Sequence, residues 1–82
     1  MNSWLEHKSR GNAAYASGDT AAAIDAYSAA LRSGDLPATD RATILCNRAQ
    51  CYLKLNENAK AVEDCTASLT LAPDSVKALF RR

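Results

Sequence analysis

Residues 11–31 have the sequence GNAAYASGDTAAAIDAYSAAL, and the same order of small and large side chains returns in AQCYLKLNENAKAVEDCTASL at residues 49–69. Ala23 in the first copy corresponds to Ala61 in the second, an offset of 38 positions. Apolar residues recur in both copies at the spacing of one helix face, and neither copy shows the alternation typical of a strand. The pattern predicts an all-α fold built from a repeated pair of helices.

Capping and turn-forming residues mark the ends of the first helix pair. Ser3 and Glu6 have the spacing of a capping box, so we expect the first helix to begin near Ser3. Gly18 suits the left-handed residue that commonly ends a helix. One of the polar residues at 19–20 then caps a second helix, which we expect to run to about Arg32.

The second pair is marked in a similar way. Pro37 suits the first turn of a third helix, which we expect to continue to about Leu55. Residues 56–58 supply a turn and a cap for a fourth helix that should end near Leu71. After a Pro-Asp break, a fifth helix is expected to begin at Ser75 and to continue to the end of the sequence.

Composition excludes several classes of function. The 82 residues are enough for one small domain, and a net charge of +1 leaves no broad basic surface for nucleic acid or an anionic membrane. Amphipathic helices can also lie on a membrane surface, but the polar faces here mix both charge signs, which disfavours that alternative. Residues 1–10 are neither a signal peptide nor a lipidation signal. Motifs for a nucleophile, a phosphate loop or a paired-acid site are absent from the sequence, so we expect no enzyme activity and no cofactor.

The cysteines and the remaining titratable residues fit a structural role. An odd number of cysteines (Cys46, Cys51 and Cys65) without a secretory signal favours a reducing compartment. The chain has a single histidine, His7, and no Cys-x-x-Cys pair, so we interpret the thiols as small buried side chains and expect no metal site. His7 is expected to be a partly buried packing residue, and the neighbouring acids at 63–64 are expected to face solvent.

The repeated pattern resembles the tetratricopeptide repeat, a helix-turn-helix unit of about 34 residues. The resemblance covers nearly the whole chain as one domain: a first repeat at 4–37, an inserted stretch at 38–41, a second repeat at 42–75 and the start of a third at 76–82. The matching signature positions are Gly11, Tyr15, Ala23, Tyr27 and Ala30, followed by Tyr52, Ala61 and Pro73. His7 and Leu45 stand where the family often has Trp, a departure that concerns packing more than function. The resemblance implies an α-α superhelix.

Within that family, the sequence is similar to the carboxylate-clamp domains of co-chaperones, which bind the C-terminal Glu-Glu-Val-Asp tails of heat-shock proteins 90 and 70. Their pattern places five polar residues on three helices, and the matching residues here are Lys8, Asn12, Asn47, Lys77 and Arg81. Residues four apart share one helix face, so Lys8 with Asn12 and Lys77 with Arg81 each form a polar edge. The resemblance implies that all five converge on the concave surface of the stacked repeats.

The same resemblance suggests a role for each of these five residues. Lys8, Asn12 and Asn47 are assigned to the main-chain carboxylate of the bound tail. Lys77 is assigned to the side chain of its terminal Asp, and Arg81 to an acidic group further upstream or to a bridging water.

Five further residues are expected to contact the bound peptide. Gln50 and Lys54 should face the groove and act as secondary contacts. Tyr15, Leu53 and Phe80 are expected to offer apolar walls for a Val or Met of the peptide. Together these assignments predict a protein partner, the C-terminal peptide of heat-shock protein 90 or 70, met in the cytosol or the nucleus. The second half of the chain, with the inserted stretch before it, is most similar to the N-terminal domain of co-chaperones that help to fold myosin.

Several alternatives stay open at this point. The repeats could form a structural scaffold that binds another protein surface, or the targeting domain of a larger enzyme such as a phosphatase or a prolyl isomerase. The clamp cations Lys8, Lys77 and Arg81 could instead be solvated surface charges, an alternative that the spacing of the asparagines disfavours. Arg48 is expected to be structural or solvated. Val76, Leu79 and Phe80 have no following helix in the sequence to cover them. We therefore expect the chain either to be a fragment or to self-associate through this apolar end.

Overall fold

A computed structural model of the chain describes residues 3–71, which form four helices joined by short connections. The helices are α1 (Ser3–Ala16), α2 (Thr20–Leu31), α3 (Ala38–Lys54) and α4 (Asn58–Leu71). α1 packs against α2, α2 against α3, and α3 against α4. The prediction of an all-α fold with two helix pairs is confirmed, while the predicted fifth helix and the start of a third repeat lie outside the described residues.

The turn inside each helix pair has the same geometry, 38 positions apart in sequence. Gly18 (φ 89°) and Asn56 (φ 61°) both adopt the left-handed conformation that glycine and asparagine tolerate best. After Gly18, the N–H of Asp19 donates to the carbonyl of Ala14 at 2.9 Å. After Asn56, the next N–H donates to the carbonyl of Tyr52 at 2.8 Å. Both helices thus end in a Schellman-type cap, which satisfies their last carbonyls and reverses the chain.

The starts of α2 and α3 use different caps. The carboxylate of Asp19 accepts a hydrogen bond from the N–H of Ala22 at 3.2 Å, as a helix N-cap does. The prediction that Pro37 lies in the first turn of α3 is wrong by one position. Pro37 has an extended ψ of 149°, so the helix begins at Ala38, and the N–H of Arg41 donates to the Pro37 carbonyl at 2.8 Å. The inserted stretch 38–41 therefore forms the first turn of α3.

The core depends on small side chains that bring the helices close together. Ala23 and Ala30 of α2, and Ala42 and Ala49 of α3, are fully buried. Ser68 of α4 stands where the first repeat has Ala30, and its hydroxyl donates to the Ala42 carbonyl at 2.6 Å, so this buried polar group is satisfied. Larger side chains complete the core on the side of the first pair: Trp4, Tyr27, Leu36, Ile44 and Cys51.

One buried ion pair corrects an expectation from the sequence. Glu63 is exposed as predicted, but the prediction that Asp64 faces solvent is wrong. Successive helix positions point about 100° apart, and Asp64 turns toward α3. There its carboxylate accepts from Arg48 Nε at 2.7 Å and from Nη2 at 2.8 Å, while Nη1 donates to Ser28 at 3.0 Å. Arg48 is therefore structural, and it joins α2, α3 and α4.

The thiols behave as packing groups. Cys46 and Cys51 are fully buried, and Cys65 is partly buried. Burial raises the pKa of each thiol. A raised pKa keeps the unreactive thiol form at neutral pH, as expected for structural cysteines.

The outer surface of α4 is notably apolar. Val62 is 63% exposed, and Leu69 and Leu71 are also exposed. The residues predicted to mediate self-association, 76–80, lie outside the described part of the chain. Among residues 3–71, every helix is too short or too polar to cross a membrane.

Candidate functional site

The candidate site lies where α1 and α3 face each other, and two side-chain contacts define the orientation of the two helices. Lys8 lies in the N-terminal half of α1, and its Nζ is 3.8 Å from Oδ1 of Asp40 in the first turn of α3. Near their C-terminal ends, Lys54 Nζ lies 4.7 Å from the centre of the Tyr15 ring. Because residue number rises in the same sense along both helices, α1 and α3 run in the same direction.

Between these two contacts is a small pocket of about 130 Å³, which we call the amide pocket. Five residues line it: Asn12 and Tyr15 of α1, Tyr27 of α2, and Asn47 and Gln50 of α3. Three of the five carry a primary amide, which offers two N–H donors and one carbonyl acceptor. Asn12 and Asn47, which the family resemblance places on one concave surface, both line this pocket. Their binding of a carboxylate stays a prediction.

The regular spacing of α3 explains why its polar residues meet α1 in order. Asp40, Asn47 and Lys54 are seven positions apart, about two helical turns, and so share one face. On α1, Lys8 and Asn12 are four apart and likewise share a face.

Tyr27 forms the floor of the amide pocket. Its side chain is only 2% exposed, and its hydroxyl donates to Asn12 Oδ1 at 2.5 Å. Burial raises the pKa of Tyr27 to about 12, although its interaction with the Asn47 amide acts in the opposite direction. The hydroxyl therefore keeps its proton throughout the neutral range and remains a donor.

Gly11 creates the space that Tyr27 occupies. A Cβ atom on Gly11 would lie 2.5 Å from Cε1 of Tyr27, 2.6 Å from Cδ1 and 2.9 Å from Cζ. The absence of a side chain at Gly11 lets the ring pack directly on the backbone of α1. The ring can then deliver its hydroxyl to Asn12, the next residue along the helix.

Lys8 is engaged outside the amide pocket. It belongs to the predicted set with Asn12 and Asn47, but its ammonium pairs with Asp40. Asp40 belongs to the inserted stretch 38–41, which adds a turn at the start of α3. That turn places a carboxylate opposite Lys8 that the sequence reasoning did not anticipate.

The other predicted contacts fall into two groups. In the first group, Tyr15 and Gln50 line the amide pocket, and the ammonium of Lys54 lies over the Tyr15 ring. Leu53, which precedes Lys54, is 50% exposed. The predicted residues Lys77, Phe80 and Arg81 lie outside the described residues.

Tyr27 is the pocket residue that sequence reasoning missed. It was noted only as a signature position of the repeat, because an aromatic residue there is explained by packing alone. The available signal is the hydroxyl: Phe would fill the same volume, whereas Tyr needs a hydrogen-bond partner when buried. Its partner, Asn12, lies 15 positions away in sequence, and only the packing of α2 on α1 brings the two together.

Comparison with known proteins places the chain in a family. A family model described as tetratricopeptide repeat matches residues 9–76. Sperm-associated antigen 1 of Homo sapiens is 40% identical over 79 residues, which cover 92% of this chain and 8% of that protein. The inactive TPR repeat-containing thioredoxin TTL3 of Arabidopsis thaliana is 39% identical over 74 residues, covering 90% of this chain and 10% of that protein.

The matched region makes up a larger share of a third relative than of the first two. Mitochondrial import receptor subunit TOM34 of Homo sapiens is 35% identical over 81 residues, covering 94% of this chain and 26% of that protein. The chain therefore spans between 8% and 26% of the length of these three relatives. No solved structure matches the chain significantly. Because the family model covers most of the sequence, and the two helix pairs have the form it describes, the chain belongs to the tetratricopeptide repeat family of protein-interaction modules.

Proposed function

We propose that this module is a co-chaperone adaptor that binds the C-terminal Glu-Glu-Val-Asp tail of heat-shock protein 90 or 70 in the cytosol or the nucleus. The observation that carries the proposal is the amide pocket, where Asn12 of α1 and Asn47 of α3 meet. Two amides from separate helices offer several N–H donors to one small volume. A terminal carboxylate, with two oxygens that accept hydrogen bonds, is a suitable ligand for such a volume.

Charge near the pocket favours the same ligand. Lys8 is one turn from Asn12 along α1, and Lys54 lies at the other end of the pocket, over Tyr15. A lysine side chain is long and flexible enough for its ammonium to exchange Asp40 for a ligand carboxylate. Lys77 and Arg81 remain part of the proposal as the groups that bind the side chain of the terminal Asp and an upstream acid.

Apolar surface beside the pocket suits the valine of the tail. Leu53 is half exposed, and the Tyr15 ring forms one side of the amide pocket. Burying a valine against such surface contributes about 1–2 kcal/mol, which is comparable to the contribution of a hydrogen bond to a charged group. Phe80 is proposed to complete this wall.

The relatives support a role in protein recognition. One of them is named as a receptor subunit for mitochondrial import, a role that requires binding to other proteins. The relatives are also much longer than this chain, so the targeting domain of a larger enzyme is retained as an alternative setting for the same binding module.

The experiment compares two peptides with the same sequence in isothermal titration calorimetry. One ends Glu-Glu-Val-Asp with a free carboxylate, and the other carries a C-terminal amide. The proposal predicts binding of the free acid and a loss of about 10-fold or more for the amide, because a charge-assisted hydrogen bond contributes about 1.5–3 kcal/mol. Equal binding of the two peptides would instead favour a scaffold that does not use the chain terminus.

Variants locate the binding within the molecule. Asn12→Ala, Asn47→Ala and Lys8→Ala should each weaken binding of the free acid while leaving the helical signal in circular dichroism unchanged. Lys60→Ala is the matched control for Lys8→Ala, since it removes the same charge from an exposed pair with Glu57. Unchanged affinity in Asn12→Ala and Asn47→Ala would refute the proposed site. Arg81→Ala tests the predicted contribution from beyond the described residues.

Ionic strength gives an independent test. At physiological salt, the attraction between exposed charges decays over about 8 Å, and added salt shortens this distance. The affinity for the free acid should therefore fall as the salt concentration is raised. The Lys8→Ala variant should show a smaller salt dependence than the wild type. The same titrations with tails from both chaperone classes determine which one the module prefers.

A further inference from the structure

An asparagine can present either of two opposite chemical groups to a ligand. Its carbonyl oxygen accepts hydrogen bonds, and its NH₂ group donates them. A rotation of 180° about the last side-chain bond exchanges the two, and the broad preference of that torsion does not select between them. Asn12 is an exposed residue on α1, so packing alone does not fix which group faces the groove.

Tyr27 supplies a donor that distinguishes the two orientations. A tyrosine hydroxyl has a single proton, and in this structure it goes to Asn12 Oδ1 at 2.5 Å. With Oδ1 held by Tyr27, the NH₂ group of Asn12 points away from the hydroxyl. In the rotated orientation, the NH₂ group would face the hydroxyl, and the Tyr27 proton would lose the acceptor that it has at Asn12 Oδ1.

The position of Tyr27 is itself well determined. The ring is almost fully buried and packs on the backbone at Gly11, where no side chain intervenes. Burial raises the pKa of Tyr27 to about 12, so the phenol stays protonated and continues to donate at neutral pH. A rigid group that is always protonated thus holds a side chain that is otherwise free to rotate.

We propose that Tyr27 is a positioning residue that orients the Asn12 amide with its NH₂ group toward the groove, and that this orientation makes the site select a free carboxylate over a C-terminal amide. The inference rests on the proposed function and deepens it, because it names the residue that sets ligand chemistry. A carboxylate only accepts hydrogen bonds, so it needs the NH₂ group of Asn12. A C-terminal amide can also donate, and it can therefore use either orientation.

Asn47 fits the same arrangement. Its amide interacts with the Tyr27 hydroxyl in the sense that lowers the phenol pKa, as a donor to the phenol oxygen does. A primary amide has two N–H groups, so Asn47 retains one for a ligand. The hydroxyl of Tyr27 then lies between the two asparagines of the proposed clamp and donates to one of them.

The test is Tyr27→Phe, which keeps the ring and removes only the hydroxyl. The measured quantity is the ratio of dissociation constants for the amidated and free-acid Glu-Glu-Val-Asp peptides, in the full chain. We expect the ratio to fall by about 3- to 10-fold, because the free acid loses an oriented donor while the amide loses less. A purely structural role for the hydroxyl would weaken both peptides equally and leave the ratio unchanged.

Tyr52→Phe is the matched control. Tyr52 packs near Arg48 and Lys60, at 5.7 Å from each cation to the ring centre. Its hydroxyl is expected to have no effect on the ratio. Gly11→Ala is a second variant that keeps the hydroxyl but displaces it, and it should lower the ratio in the same direction.

Each outcome has a distinct meaning. If the wild type prefers the free acid and Tyr27→Phe retains the full preference, the positioning role is refuted while the proposed function stands. If the wild type shows no preference for the free acid, the proposed function and the positioning role both fail. A fall in the ratio in Tyr27→Phe but not in Tyr52→Phe supports the assignment.

Discussion

Replacing Gly11 with alanine should destabilise the protein, although alanine is the better helix former. The added Cβ would lie 2.5–2.9 Å from three atoms of the Tyr27 ring, whereas ordinary contacts lie at 3.4–4 Å. The ring is 2% exposed and its hydroxyl is bonded to Asn12, so it has little room to withdraw. Overpacking costs about 1–3 kcal/mol, and three ring atoms within 3.0 Å place this case in the upper part of that range, about 2–3 kcal/mol. The better helix propensity of alanine offsets about 1 kcal/mol.

The expected net loss is therefore about 1–2 kcal/mol, or roughly 5–15 °C in the midpoint of thermal unfolding for a domain of this size. The assay is thermal and urea unfolding followed by circular dichroism. Gly34→Ala is the matched control, since a Cβ there meets no atom within 4 Å, and its stability should stay close to the wild-type value.

A double variant tests the cause of the loss. Tyr27→Leu removes the ring atoms that Gly11→Ala would strike, so adding Gly11→Ala to that background should cost less than it does in the wild type. The coupling between the two changes reports their contact directly. A Gly11→Ala protein as stable as the Gly34→Ala control would refute the packing account of the Tyr27 ring, and with it the reason for the position of its hydroxyl.

The remaining predictions concern charge, pH and assembly. Asp64→Ala should cost about 2–4 kcal/mol in urea unfolding, because it leaves a partly buried arginine unpaired, whereas Glu63→Ala on the exposed side of α4 should cost close to nothing. Asp40→Asn should raise the affinity for a free-acid tail, because it releases Lys8 from a competing carboxylate; a lower affinity would mean that Asp40 instead holds Lys8 in its binding position. The phenol of Tyr27 has a pKa raised from 10.0 to about 12, so its contribution to stability is complete below pH 10 and is lost as the pH rises toward 12. Urea unfolding at about pH 8 and about pH 11 should therefore show a smaller decrease for Tyr27→Phe than for the wild type, and equal decreases would contradict the raised pKa. Sedimentation at several concentrations should detect self-association if the apolar C-terminal end mediates it, and a stable dilute monomer would argue against that prediction.

Much of the fold could be predicted because local residues determine it. Gly18 and the residues after it mark the first turn by their backbone preferences alone, and the same turn follows at Asn56. Pro37 was expected one position too far into α3, since its fixed φ is compatible with both the cap and the first turn. Such errors of one residue are expected when caps and first turns favour the same residue types.

The contacts that require tertiary structure were the ones that the sequence could not supply. Asp64 was expected in solvent because a run of two acids usually faces water, yet one of the two pairs with Arg48 from the neighbouring helix. The pairing of Lys8 with Asp40 depends on the extra turn that the inserted stretch adds to α3. In both cases the charge of each residue is visible in the sequence, but its partner depends on how two helices pack.

The central claim is that the side-chain amides of Asn12 and Asn47 together receive the terminal carboxylate of a bound peptide. The most direct measurement is a nitrogen-proton correlation spectrum of the labelled chain, in which the side-chain NH₂ signals are assigned by single Asn→Asp variants. On addition of the free-acid Glu-Glu-Val-Asp peptide, both NH₂ pairs should shift downfield and in parallel, whereas the amidated peptide should move them little. If the free-acid peptide bound while both side-chain signals stayed in place, the carboxylate would lie elsewhere and the claim would be wrong.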